Sequence, residues 1–219
     1  VLEDLVAHPL LSMRNLGIVH YDSPDERGID VAMLYNPKYF KLAYSKPIPL
    51  DLWEADSSKR DYTRDMLHVV GTIDGDTFHI LVNHWPSRSG GQKATDSKRI
   101  LAAKSARMLI DSLQAINPEV NVVLMGDLND DPTNTSVSVT LDGQYNSKKM
   151  NDTSMYNPCY NLLKDGTGTL AYNDSWNFFD QLMVTKPLIS RKIGPWFMQQ
   201  FKIFREPYLF STEGKYKGY

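Results

Sequence analysis

The chain has 219 residues, 42% hydrophobic and 23% charged, enough apolar surface for its own core and the size of a single domain. A net charge of −2 does not suit a protein that coats nucleic acid through a broad basic face, although a local basic cleft is compatible with it. One cysteine, Cys159, excludes an internal disulfide, and no apolar run reaches the roughly 18 residues that a membrane helix needs.

In chain order, residues 1–6 read as a helix, and residues 65–73 as a strand that Asp74-Gly75 turns back into a second strand at 78–83. That strand gives way to His84-Trp85-Pro86-Ser87-Arg88-Ser89-Gly90-Gly91. A helix follows over Gln92–Ile116, closed by Asn117-Pro118. Its period predicts a core face of Leu101, Met108, Leu109, Leu113 and Ile116, with Lys98, Arg99, Lys104 and Arg107 on the solvated side. Residues 120–125 are aliphatic apart from Asn121, as in a strand buried on both faces, and end in Gly126-Asp127-Leu128-Asn129. Residues 134–164 are polar and predict a loop with one or two short helices, and 165–169 form a turn cluster without the Lys-Ser/Thr helix of a phosphate loop. A last strand is predicted at 178–184, and the tail's Trp196, Phe197, Phe201, Phe204, Tyr208 and Phe210 are spaced for packing. No repeat or linker divides the chain, so 1–219 is read as one domain.

Three strand ends carry chemistry. Asp127 and Asn129, two apart, project to the same side of an extended backbone. A carboxylate and a neutral amide there suit an ion or a water held against an anionic substrate. Read singly, the pair is also an ordinary strand end followed by the polar turn Asp130-Asp131-Pro132. His84 arrives with Ser87, Arg88 and two glycines, a set suited to phosphate, whereas a lone histidine in such a place is more often structural. Asp180, between aromatic and aliphatic residues, calls for a hydrogen-bonded partner such as a histidine held in one tautomer.

Gly126-Asp127-Leu128-Asn129, His84 at the end of a strand, and Asp180 in Phe-Asp-Gln-Leu-Met-Val together resemble the endonuclease/exonuclease/phosphatase superfamily, whose members include DNase I. Residues 27–35, Arg-Gly-Ile-Asp-Val-Ala-Met-Leu-Tyr, are similar to a strand of many bacterial members, and Thr63-Arg64-Asp65 to a phosphate-contacting arginine motif of the nuclease branch. The similarity runs in family order from about Arg27 to Val184. It implies an α/β fold, a two-sheet β-sandwich flanked by helices in four α/β/β/α layers. It also implies a metal-dependent phosphoester hydrolase using Mg²⁺ or Mn²⁺, a nuclease or phosphodiesterase first, acting on nucleic acid or a small phosphodiester.

On this resemblance Asp127 orients or deprotonates the attacking water or holds the metal, and Asn129 fixes the metal and the phosphate. His84 donates to a phosphate oxygen or the leaving group, and Asp180 orients a histidine. Arg27, Arg64, Ser87 and Arg88 are candidates for phosphate contact, and Trp85 for stacking on a base or ring. The family's asparagine near its first strand, its metal-binding glutamate and its C-terminal Ser-Asp-His have no counterpart, and Glu3 falls in the helix at 1–6. The domain is therefore expected to be incomplete at both ends and to fold poorly alone. A phosphomonoesterase for sugar or inositol phosphates, a sphingomyelinase-like lipid hydrolase and a non-catalytic binding module stay open as alternatives. No protein partner is indicated, and the compartment, export or a periplasmic location included, is left open.

Overall fold

The computed structural model describes residues 1–53, 60–172, 175–190, 196–214 and 217. Two short helices, α1 (Leu2–Ala7) and α2 (Pro9–Ser12), precede an antiparallel pair of β1 (Gly17–His20) and β2 (Ala32–Tyr35). Next come β3 (Lys41–Ile48), a small pair of β4 (Leu52–Trp53) and β5 (Arg60–Asp61), β6 (Met66–Ile73), β7 (Asp76–His84), the long helix α3 (Gln92–Ile116) and β8 (Asn121–Asp127). The second half adds β9 (Gly143–Gln144), β10 (Met155–Tyr156), α4 (Cys159–Lys164), a hairpin of β11 (Leu170–Tyr172) and β12 (Ser175–Asn177), β13 (Asp180–Thr185) and α5 (Pro187–Ser190).

A seven-stranded mixed sheet in the order β3-β6-β7-β8-β13-β10-β9 forms the frame. Asp74 and Gly75, both at positive φ, make the tight turn between β6 and β7. Because β7 and β8 run parallel, α3 must cross over between them. Along β7 the residues alternate faces. Leu81 joins Ala102, Ala103, Ala106 and Ile110 of α3, with Val122, Leu124 and Met183, in one core. Phe78 and Ile80 join Leu67, Val69, Val184 and Leu188 in a second core under Val19 and Phe40. Partly buried Met33 and Tyr35 of β2 close that second core. The expected α/β class is therefore realised as a sheet between a helical layer and a smaller β layer.

The core face of α3 differs from the periodicity. Met108 is 72% and Ile116 84% exposed, while Ala102, Ala103 and Ala106 are fully buried because small side chains let the helix lie close on the sheet. Leu109 and Leu113 pack against the core as expected. Arg99, expected in solvent, has no exposed surface, since its guanidinium lies 2.8 Å from the buried carboxylate of Asp130. Arg107 is mostly covered and donates to the carbonyls of Leu141 and Thr153, and Lys98 pairs with Asp61 at 2.6 Å. Lys104 is exposed as expected. Residues 134–164 are more ordered than a loop, with a π-helical turn at Ser136–Thr140, a 3-10 turn at Ser147–Lys149, β9, β10 and α4. In the tail Trp196 packs edge-on against Phe78 and Phe201 approaches Phe178, while Phe197, Phe204 and Tyr208 are exposed.

Between β6 and β7, the imidazoles of His68 and His79 stack, with His68 Nε2 3.0 Å from His79 Nδ1. Burial, with the neighbouring charges of His79 and Lys46, pushes His68 from its ordinary 6.5 down to about 4, and burial also lowers His79. Below about pH 6.5 the unfolded chain takes up a proton that the folded chain refuses until about pH 4. Stability is thus complete above that window and falls as acid is added through it, by about 3 kcal/mol for a shift of this size. Urea unfolding between pH 7 and 4.5 should show the slope, and His68→Leu should flatten it. An equally steep slope in the variant would assign the acid sensitivity to other groups.

Candidate functional site

Strand register, not sequence proximity, assembles the site. Parallel pairing sets His84 of β7 beside Asp127 of β8, and antiparallel pairing sets Asp180 of β13 beside Asp127 on its other side. By strand alternation all three share the face of Val82, Met125 and Leu182, which pack in the second core. With neighbouring strands about 4.8 Å apart, His84, Asp127 and Asp180 form one row across the sheet. His84 Nε2 lies 3.7 Å from Asp127 Oδ2. Continuing the β6–β7 register past Leu67↔Val82 sets Asp65 beside His84. Asp65 is buried, one of its carboxylate oxygens has no hydrogen-bond partner, and burial raises its carboxyl.

Gly126 lets β8 reach this row. At φ 132° a Cβ would stand 1.9 Å from the carbonyl oxygen of Asn83, so any side chain would force β7 and β8 apart just before Asp127. The half-buried Asp127 carboxyl is raised by burial and by the charge of Asp180, against the opposing hydrogen bond from the Asn129 amide. His84 is held below its ordinary 6.5 by burial and by the Arg64 guanidinium, with Asp127 opposing. The lowered His84 therefore favours a neutral imidazole, able to donate one N–H, beside the side chains of Asp127 and Asp180.

The Trp85 carbonyl is the hub behind the row. It accepts from Arg64 Nη2 at 2.6 Å and from Asn129 Nδ2 at 2.9 Å, while the Trp85 amide donates to the Asp127 carbonyl at 2.9 Å. Arg64 Nη1 in turn donates to Asp25 at 3.1 Å. Burial acts to raise the Asp25 carboxyl, but hydrogen bonds from Arg27 and Arg64 outweigh it and bring it to about 2. Arg88 donates from Nε to the Asn129 carbonyl and from Nη2 to Asp130, Asp131 and Asn134, and its guanidinium lies over the Phe179 ring. Gln181 of β13 donates to the Asp130 carbonyl, so the turn after Asp127 is also fixed from that strand.

These contacts correct three of the residues expected to meet substrate. Trp85 is 1% exposed and its indole N–H is given to Asn83 Oδ1, so it has no face for stacking on a base. Arg64 is 3% exposed and bound to Asp25 and Trp85, and acts on the row only through its charge behind His84. Arg88 spends its guanidinium on the 129–134 turn rather than on open space. Arg27 and Ser87 do line a polar cavity of about 270 Å³, and the Arg27 side chain is 58% exposed.

The donor set suits a hard divalent cation. The charge of Asp180 raises the cost of ionising the adjacent Asp127, which a cation would relieve. The side-chain oxygen of Asn129 makes no hydrogen bond within the described residues, its amide nitrogen being taken by Trp85. Among the described residues, the only trio of histidine and carboxylates with metal-like spacing is His20, Asp22 and Asp30, at the β1–β2 hairpin rather than at the row. There the Asp30 oxygens are already used by His20 and the Ser23 amide.

A family model described as "Endonuclease/Exonuclease/phosphatase family" matches residues 1–219. No curated protein matches the chain by sequence. Among solved structures, the human nocturnin catalytic domain with bound sulfate anion is 19% identical with a TM-score of 0.51, over 82% of this chain and 64% of that one. Truncated Caenorhabditis elegans TDP2 is 18% identical with a TM-score of 0.57, over 84% and 66%. ANGEL2, a 2′,3′-cyclic phosphatase, is 12% identical with a TM-score of 0.57, over 84% and 66%. At these identities the likeness is one of fold, and the chain spans just under two thirds of each of these proteins.

Proposed function

The chain belongs to the endonuclease/exonuclease/phosphatase family, and from that premise we propose that it is a divalent-metal-dependent phosphoester hydrolase, acting as a nuclease or phosphodiesterase. The observation that carries this reading is the row of His84, Asp127 and Asp180 on three adjacent strands. Asp127 orients or deprotonates the attacking water or, with the free oxygen of Asn129, holds the metal, Mg²⁺ or Mn²⁺ being the hard ions that suit such oxygens. A bound ion would supply charge neutralisation at the phosphoryl oxygens and a more acidic water.

The remaining steps belong to the chain's own side chains. Neutral His84 donates its N–H to a phosphoryl oxygen or to the leaving oxygen, and burial, with the Arg64 charge behind it, keeps it neutral. Asp180, whose carboxylate makes no hydrogen bond among the described residues, is free to orient an imidazole or to share the ion. Arg27 and Ser87 contact the phosphate from the neighbouring cavity.

Cation supply favours a diester over a monoester. Arg64 and Arg88 are committed to carboxylates and Lys98 to Asp61, and Arg27, although paired with Asp25 at 3.4 Å, keeps 58% of its side chain exposed. One exposed but already paired guanidinium matches the single charge of a diester better than the double charge of a monoester.

The test is metal removal. In its full natural length the protein should hydrolyse bis-(p-nitrophenyl) phosphate with Mg²⁺ or Mn²⁺, lose the activity in EDTA and regain it when the ion is returned. Undiminished turnover in chelator would remove the metal mechanism and the role given to Asp127.

A further inference from the structure

We propose that His20, Asp22 and Asp30, at the loop end of the β1–β2 hairpin, form a metal site separate from the candidate row, one that takes a borderline divalent ion of the Zn²⁺ kind and fixes the loop carrying Asp25 and Arg27. The hairpin register brings the three side chains together. Pairing runs from Gly17 with Tyr35 to His20 with Ala32, and the same register carried two residues further sets Asp22 opposite Asp30. By alternation Asp22 and His20 point to one side. Two carboxylates directly opposite one another repel, so the arrangement calls for a cation between them. One ligand atom from each of the three residues lies within 4.8 Å of the others. His20 Nε2 stands 3.1 Å from Asp30 Oδ2. Two ligands about 2.1 Å from one ion, at angles between square and tetrahedral, are themselves about 3.0–3.4 Å apart. An ion can therefore replace the proton that this pair shares. Asp30 Oδ1 meanwhile keeps its 2.7 Å hydrogen bond from the Ser23 amide, the outer support of a ligating carboxylate.

A third carboxylate, behind the trio, points the same way. Asp65 is 8% exposed, and its Oδ1 makes no hydrogen bond within the described residues. Burial raises its carboxyl and the charge of Asp30 adds to that, against the Leu50 amide and Arg60. Ser23 joins the two acids, since its amide donates to Asp30 and its Oγ accepts from the Asp65 amide at 3.1 Å. Tyr21, Ser23, Val31 and Asp65 help to line a void of about 10 Å³, the room of one water. A water carried by the ion would donate from there to the orphaned Asp65 oxygen, as outer carboxylates do around metal centres. The donor set selects the ion. One imidazole with two carboxylates suits Zn²⁺ or Co²⁺, whereas Mg²⁺ and Ca²⁺ prefer oxygen alone. The loop between the strands carries Asp25, which holds Arg64, and Arg27, which lines the polar cavity with Ser87. An ion at its base steadies both without touching substrate.

The experiment uses the full-length protein, stripped of metal. Co²⁺ absorption and Zn²⁺ calorimetry are measured in wild type, in Asp127→Asn, and in His20→Ala and Asp22→Asn, both at exposed positions that leave the core intact. One ion per chain should persist in Asp127→Asn. Asp65→Asn, which keeps the shape, should weaken its binding by about 10-fold, and loss of a ligand in His20→Ala or Asp22→Asn by about 100-fold or more. Bound Zn²⁺ should raise the melting temperature and slow tryptic cleavage after Arg27 in wild type and in Asp127→Asn, and should do neither in His20→Ala. Equal Zn²⁺ affinity in wild type, His20→Ala and Asp22→Asn overturns the site. A wild type whose every ion is lost in Asp127→Asn overturns it too. An ion that binds with cleavage after Arg27 unslowed overturns its hold on the loop. None of these measurements involves turnover, so their failure is distinct from a failure of phosphoester hydrolysis.

Discussion

Asp180→Asn and His84→Ala should each lower kcat by about 10²–10⁴ with the fold retained, as circular dichroism would show. The two variants act on different parts of one row and should be separable by pH. His84→Ala removes the N–H donor to the phosphate, so turnover falls at every pH where the imidazole is neutral. Asp180→Asn removes a negative charge that raises the Asp127 carboxyl, so Asp127 should titrate lower in the variant. The acid limb of the pH–rate profile then moves to lower pH while its plateau drops. A merely structural role for Asp180 could lower the plateau but would leave the limb in place. Near-wild-type turnover in either variant would show that residue to be structural.

The row was legible in the sequence because each member ends a strand whose apolar pattern is plain. Aliphatic residues before Gly126-Asp127 and before His84, and the run after Asp180, fix the strands, and the helix between His84 and Asp127 fixes their parallel pairing. Pairing between Asp180 and Asp127 needed the sheet order, which no local pattern carries. The supporting charges were hidden for the same reason. Asp25 reads as part of a polar turn until Arg64 is seen against it, 39 residues away, and Asp130 reads as a turn residue until Arg88 is found 42 residues upstream. An arginine near a phosphate-type site looks from sequence like a phosphate ligand, but burial decides otherwise. At 3% exposure, Arg64 must have a carboxylate partner, and that partner leaves it unavailable. The buried face of α3 departs from its hydrophobic period because alanine carries little weight in that period, yet it is the residue that permits close packing on a sheet.

The largest stability effect should come from Asp130→Ala. Asp130 is fully buried and faces Arg99 at 2.8 Å, Arg88 at 3.1 Å and the Ser136 hydroxyl at 2.6 Å. Removing its carboxylate leaves the guanidinium of Arg99, which has no exposed surface, with Asp96 at 3.8 Å as its nearest counter-charge, and loosens Arg88. Breaking a buried pair from one side costs about 3–5 kcal/mol, a large share of the roughly 5–15 kcal/mol that holds a domain folded. Taking away the buried charge as well, in Asp130→Ala/Arg99→Leu, should return much of that loss, because an ion pair replaced by apolar groups is often close to neutral. Chemical denaturation of the single and double variants measures both quantities. A single variant within about 1 kcal/mol of wild type would mean that water reaches Arg99 and that the pair is not a buried one. Activity should not recover with stability in the double variant. Arg88 also holds the Asn129 carbonyl, and without Asp130 its guanidinium loses one of the carboxylates that aim it there. The turn that sets Asn129 beside Asp127 would then be folded but loosely placed, and kcat should stay depressed after the melting curve has been repaired.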